Sequence, residues 1–161
     1  MLKRRDVLTA AAALVLGIAL GVGPSEAEDT PEEAKPRLAL KGYDPVAYFI
    51  EGRPVRGTEK FEYAWDGVRY RFASEQHLSM FRGDPDRYAP QFAGSCAMGM
   101  SKGVKVEANP ENWLISDGRL FVFYPASGPA RFQAAAQTTA AAADNNWQLL
   151  KDAALGTSLA Q

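Results

Sequence analysis

Two Asp-Gly dipeptides, Asp66-Gly67 and Asp117-Gly118, constrain this chain more than any other feature. Asp-Gly tolerates the positive φ angles that a two-residue hairpin turn demands. The first dipeptide sits between Phe61-Glu62-Tyr63-Ala64-Trp65 and Val68-Arg69-Tyr70-Arg71-Phe72. The second sits between Trp113-Leu114-Ile115-Ser116 and Arg119-Leu120-Phe121-Val122-Phe123. Around the first turn large apolar residues alternate with small or polar ones, and aromatic residues flank both turns, the signature of strands. The matching patterns point to two hairpins in one small antiparallel sheet, without requiring a true repeat. Arg69 and Arg71 alternate with Val68, Tyr70 and Phe72, which marks their face as the solvent side.

The helices follow from punctuation and period. Ser74 is a good N-cap, Glu75 suits a first turn, and Leu78 and Phe81 lie three apart on one face, which predicts a short helix over 75–83. Asp84-Pro85 stops it, and a turn or short helical turn follows to Tyr88. From Pro129 the composition shifts to alanine. Phe132, Ala136, Thr139, Ala143, Trp147, Leu150 and Ala154 recur at helical steps, which predicts one long helix over roughly 130–154. Its apolar face is expected to cover the sheet, and the chain after Gly156 to fray. The fold class is therefore α+β: a small antiparallel sheet from two hairpins, one short helix and a long C-terminal helix packed on the sheet. The aromatics dense between Tyr43 and Phe81 are its expected core, with a ligand groove lined by them the alternative.

The N-terminus carries an address. Lys3-Arg4-Arg5 precedes an uncharged apolar stretch from Val7 to Val22, and Gly23-Pro24-Ser25-Glu26-Ala27 supplies small residues for a cleavage site. Residues 1–27 thus read as an export signal peptide with cleavage near Ala27; the alternative is an uncleaved N-terminal anchor. Arg4-Arg5-Asp6-Val7-Leu8 is similar to a twin-arginine signal, whose pathway carries folded cargo. The polar, proline-bearing stretch 28–37 reads as a flexible linker, 38–124 as the folded domain, and 125–161 as the C-terminal helix and tail. The expected location is periplasmic or otherwise exported, with no stable membrane span after cleavage.

A formal net charge of −1 leaves no basic footprint for nucleic acid. One cysteine excludes an internal disulfide, and one histidine excludes a His-pair zinc motif. No glycine-rich phosphate loop, serine elbow or triad pattern is present, so the expectation is a protein that is not an enzyme.

An ordered set of short motifs carries a family resemblance. Leu40-Lys41-Gly42-Tyr43-Asp44-Pro45-Val46-Ala47-Tyr48-Phe49 comes first, and Tyr63, Asp66-Gly67 and Tyr70-Arg71-Phe72-Ala73-Ser74-Glu75 follow. Then come Phe81, Asp84-Pro85 and Tyr88, and last Phe92-Ala93-Gly94-Ser95-Cys96-Ala97-Met98-Gly99. Over about residues 38–124 the chain resembles the YHS domain family, in particular the stand-alone YHS proteins of the bacterial envelope. The resemblance implies a small α+β domain. It also implies a link to metal handling, since some members accompany copper or other heavy-metal transporters. Those members carry cysteines after Asp-Pro-Val and around Phe-x-Ser, where this chain has Ala47 and Ala73.

The remaining soft donors are Cys96, Met98 and Met100, at every second position. An extended segment would turn all three sulfurs to one side, and thiolate with thioether suits Cu(I). His77, the lone imidazole, would complete such a site if its helix packed against this loop. The competing reading is packing, because Met fills core gaps and free Cys is among the most buried residue types. Cys96 near Lys102 and Lys105 is a further candidate for redox chemistry or an intermolecular disulfide. His77 also reads as a helix-start residue bonding locally, with Glu75 and Asp84 its neighbours in sequence. The sequence therefore leads to a non-catalytic exported protein binding a soft or heavy metal ion such as Cu(I). The alternative is a ligand-free structural or protein-interaction module whose partner is another envelope protein.

Overall fold

The structure is a computed structural model, and it describes residues 35–159. The expected signal peptide with its twin-arginine-like pattern and most of the expected linker lie outside the described residues. The described residues run through β1 (Arg37–Leu38), α1 (Pro45–Ile50), β2 (Thr58–Trp65) and β3 (Val68–Phe72). Helices α2 (Glu75–Gly83), α3 (Pro85–Tyr88) and α4 (Ala97–Ser101) follow. The chain ends with β4 (Asn109–Ser116), β5 (Arg119–Phe123), α5 (Gly128–Gln133) and α6 (Ala136–Leu150). The class is α+β, as expected.

Both hairpins form at their Asp-Gly turns. Asp66 and Gly67 take φ of 46° and 74°, and Asp117 and Gly118 take 50° and 73°, the paired left-handed values of a type I′ turn. The hairpins do not share a sheet. β1 runs parallel to β3 and completes a three-stranded sheet in the order β1-β3-β2, while β4 and β5 form a separate two-stranded sheet. The reason is edge occupancy: β1 takes the free edge of β3, and Pro90 takes the corresponding edge of β5 through a parallel bridge to Leu120.

Two hydrophobic clusters result. Tyr70, Phe72 and Val68 from the first sheet surround Phe81 of α2 together with Val46 and Tyr88. Leu120, Phe121, Val122 and Phe123 of β5 gather Phe132, Met100, Ala143, Leu150, Leu40 and Tyr48. Helix α2 has the boundaries its N-cap and Pro85 dictate, with Ser74 Oγ accepting from the His77 amide at 3.1 Å. Arg69 and Arg71 share their face as expected but are ion-paired there: both reach Glu62, and Arg71 also reaches Glu59.

The C-terminal helix departs from expectation. It breaks at Ala134-Ala135, where Ala135 adopts φ −150° and ψ 48°. Phe132 is locked beneath β5, 4.5 Å from the Phe121 ring and 5.6 Å from Phe123. A straight continuation could not keep that anchor and also bury Ala143 and Leu150 further along. After the break α6 lies against α4, not on the sheet, and Asn146 Nδ2 donates to the Met100 and Ser101 carbonyls. Ala154, assigned to the apolar face, is exposed.

The segment after Gly156 is not frayed. The Lys105 amide donates to the Thr157 carbonyl and the Lys105 carbonyl accepts from the Gly156 amide, Leu159 donates to the Gly103 carbonyl, and Val104 pairs with Ser158. The buried Lys105 ammonium donates to the carbonyls of Leu150, Lys151 and Ala153 at 3.1, 2.7 and 2.7 Å. It thus caps the C-terminus of α6, where a cation complements the dipole. Burial, helped by the nearby Arg37 charge, holds that ammonium below the ordinary lysine range.

Candidate functional site

Asp44 joins three partners, Val46, Ala73 and His77, in the first half of the fold. It is wholly buried and caps α1, with Pro45 at the first helical position. Its Oδ1 accepts from the Val46 amide at 2.8 Å. Its Oδ2 accepts from the Ala73 amide at 2.8 Å and lies 2.6 Å from His77 Nδ1. Nδ1 is thus the ring nitrogen that faces the carboxylate. One carboxylate therefore ties the start of α1, the end of β3 and the first turn of α2 together. A buried carboxylate left without such partners would cost several kcal/mol by order of magnitude.

Ala47 and Ala73 lie around that same carboxylate. Ala47 is buried in the first turn of α1, three residues beyond the cap, and Ala73 supplies one of the carboxylate's donors. At both places the side chain is a methyl group, which offers no lone pair to a metal.

The sulfur segment takes a different form from the extended one that would align its donors. Residues 97–101 are helical, and residues two apart on a helix point in widely different directions. Cys96 sits before the helix as its N-cap, 2% exposed, with Sγ accepting from the Gly99 amide at 3.4 Å and the Tyr124 amide at 3.2 Å. Met100 is fully buried in the larger core cluster, and Met98 is half-buried at its margin. His77 belongs elsewhere: α2 packs in the other cluster, and its Nδ1 is committed to Asp44. Among the described residues, no group of three or more His, Cys, Asp and Glu side chains is gathered as for a metal ion. Cys96, Met98 and Met100 thus lie around one helical turn beside the larger cluster, while His77 is held at Asp44.

Sequence reasoning missed the Asp44–His77 pair. It found Glu75 and Asp84 near His77 only in the chain, whereas the partner in the fold is 33 residues away. The available signal was the Asp-Pro-Val run itself, an N-cap followed by proline at the first helical position. A cavity of about 410 Å³ lies between the first hairpin turn and the end of α6, lined by Arg37, Asp66, Lys105 and Trp147 among others. None of the four proposed metal ligands lines it.

Residues 46–92 match the family model of the YHS domain, which includes α1, the first hairpin, α2 and α3. No curated protein and no solved structure matches the chain. Among the described residues, no helix is long and apolar enough to cross a membrane.

Proposed function

We propose that this YHS-domain protein is a non-catalytic, exported module of the cell envelope that acts through its protein surface and not through a bound soft metal. The reading rests on one observation: every position where a thiol would serve as ligand is otherwise used. Ala47 and Ala73 stand where metal-linked members of the family are expected to carry cysteines, and the chain's own thiol is buried as an acceptor for two backbone amides. Export is supported by the basic, apolar and small-residue pattern of residues 1–27.

The test is a Cu(I) titration of the mature chain, anaerobic and in competition with a chromogenic chelator. No stoichiometric complex tighter than about micromolar is expected. A one-to-one complex that disappears in Cys96→Ser would overturn the reading and restore copper binding at Cys96. Export is tested separately: Arg4→Lys with Arg5→Lys should block transport if the twin-arginine route is used, and unchanged transport would assign the general route.

A further inference from the structure

We infer that residues 37–133 are two copies of one structural unit, and that Cys96 is the second copy's counterpart of Asp44. The correspondence runs element by element, with equivalent residues 51 or 52 positions apart. Each copy opens with a parallel contact to its own hairpin, Leu38 on Arg69 and Pro90 on Leu120. Each then makes a rare left-handed turn. Leu40, Lys41 and Gly42 have φ of 50°, 48° and 83°, and Phe92, Ala93 and Gly94 have 57°, 49° and 77°. Two consecutive non-glycine residues in this region are uncommon. Among the described residues, such pairs occur only here, once in each copy.

The match continues past the turns. Tyr43 bridges Arg56 as Ser95 bridges Glu107. Asp44 N donates to the Val55 carbonyl at 2.8 Å, and Cys96 N donates to the Val106 carbonyl at 2.9 Å. A short helix follows each, α1 and α4, and then a glycine at positive φ, Gly52 and Gly103. The hairpins share even their irregularity. Thr58 pairs with Phe72 before the register slips to Glu62 with Arg71, and Asn109 pairs with Phe123 before it slips to Trp113 with Val122. A bulge is a positioned feature, so its recurrence at the same step counts heavily. Beyond each hairpin one phenylalanine packs on two strand aromatics. Phe81 lies 4.9 and 5.1 Å from Tyr70 and Phe72, and Phe132 lies 4.5 and 5.6 Å from Phe121 and Phe123.

The capping acceptors fall into this register. In the first copy, Asp44 accepts from its own helix and from the first amide beyond β3, that of Ala73. In the second, Cys96 Sγ accepts from its own helix and from the first amide beyond β5, that of Tyr124. His77 corresponds to Gly128, where a Cβ would meet Phe123 Cβ at 2.3 Å, so no imidazole can enter and no carboxylate would find its partner. A weak, apolar acceptor is what that site tolerates. The family match spans 46–92, which takes in most of the first copy and only the opening residues of the second. The second keeps the same letters at few positions, among them Gly94, Val106, Asp117, Gly118, Phe123 and Phe132.

The test is amide exchange and cross-strand contacts by NMR on the full mature chain. Cys96→Val keeps the volume and removes the acceptor. It should speed exchange of the Tyr124 and Gly99 amides about tenfold while Ala73 stays protected. Cys96→Ser, which retains an acceptor, should change them by less than about threefold. Should Cys96→Val not fold, the Tyr124 amide in Cys96→Ser carries the test. Unchanged Tyr124 exchange in Cys96→Val, or exchange in Cys96→Ser as fast as in an unstructured chain, would remove Cys96 as the cap. In wild type, contacts of Asn109 with Phe123 and of Phe132 with both Phe121 and Phe123 are expected. Absence of either would end the two-copy reading.

Discussion

β3 and β5 leave turns of the same geometry but meet different surroundings. β3 alternates: Val68, Tyr70 and Phe72 are buried, while Arg69 and Arg71 are half-buried and face Glu62. In β5 the last four residues, Leu120 to Phe123, are all buried. The two strands also end on different acceptors, a carboxylate paired with an imidazole in one case and a thiol in the other. A hairpin's shape is therefore set locally by its turn, while its chemistry follows what the rest of the chain lays against it. β5 carries α5 on Phe121 and Phe123, and Leu120 and Val122 enter the same cluster that α4 and α6 complete, so residues 120–123 are apolar on both faces.

The largest expected effect concerns what the two halves share. Phe81→Ala and Phe132→Ala each remove a fully buried ring from a pair of strand aromatics, and each should cost about 3–5 kcal/mol in urea denaturation. A cost at only one of them would show that the two nuclei are not equivalent. Next comes what they do not share. Asp44→Ala strands two amides and the His77 ring and should cost about 2–3 kcal/mol, well above the cost of Cys96→Val. Equal costs would mean that the carboxylate–imidazole pair adds nothing to capping.

Smaller effects refine the same contrast. Gly67→Ala and Gly118→Ala each force a side chain to positive φ in open space and should cost about 1 kcal/mol apiece, equally in both hairpins. The smallest effect belongs to β3 alone. Hydrogen bonds from Arg71, reinforced by Arg69, hold the Glu62 carboxyl below the usual carboxylate range. Its contribution is therefore present above the ordinary glutamate range and lost as pH falls through the depressed value. Glu62→Gln should lower stability at neutral pH by less than about 1 kcal/mol and flatten that acid limb, as read from denaturation midpoints at neutral and acid pH.

The hairpins and the boundaries of α2 were legible because each rests on neighbouring residues. Ser74 caps its own helix, Pro85 ends it, and Asp-Gly makes its own turn. The site was less legible. Cys96, Met98 and Met100 share a face only on a strand, and whether that segment extends or coils depends on the Val106 carbonyl and the Tyr124 amide, both remote in sequence. His77 has two acidic neighbours in the chain, yet bonds to neither.

Turn positions, helix caps and the α+β character follow from the order of residues alone, since each is a contest settled within a few positions by backbone sterics and short-range hydrogen bonds. Long-range packing settled the rest: two sheets instead of one, a C-terminal helix broken at Ala135, a tail pinned to residues 103–105, and a thiol turned inward as a cap. Those outcomes depend on which edges are already occupied and which faces are already covered, quantities that exist only once the whole chain has folded upon itself.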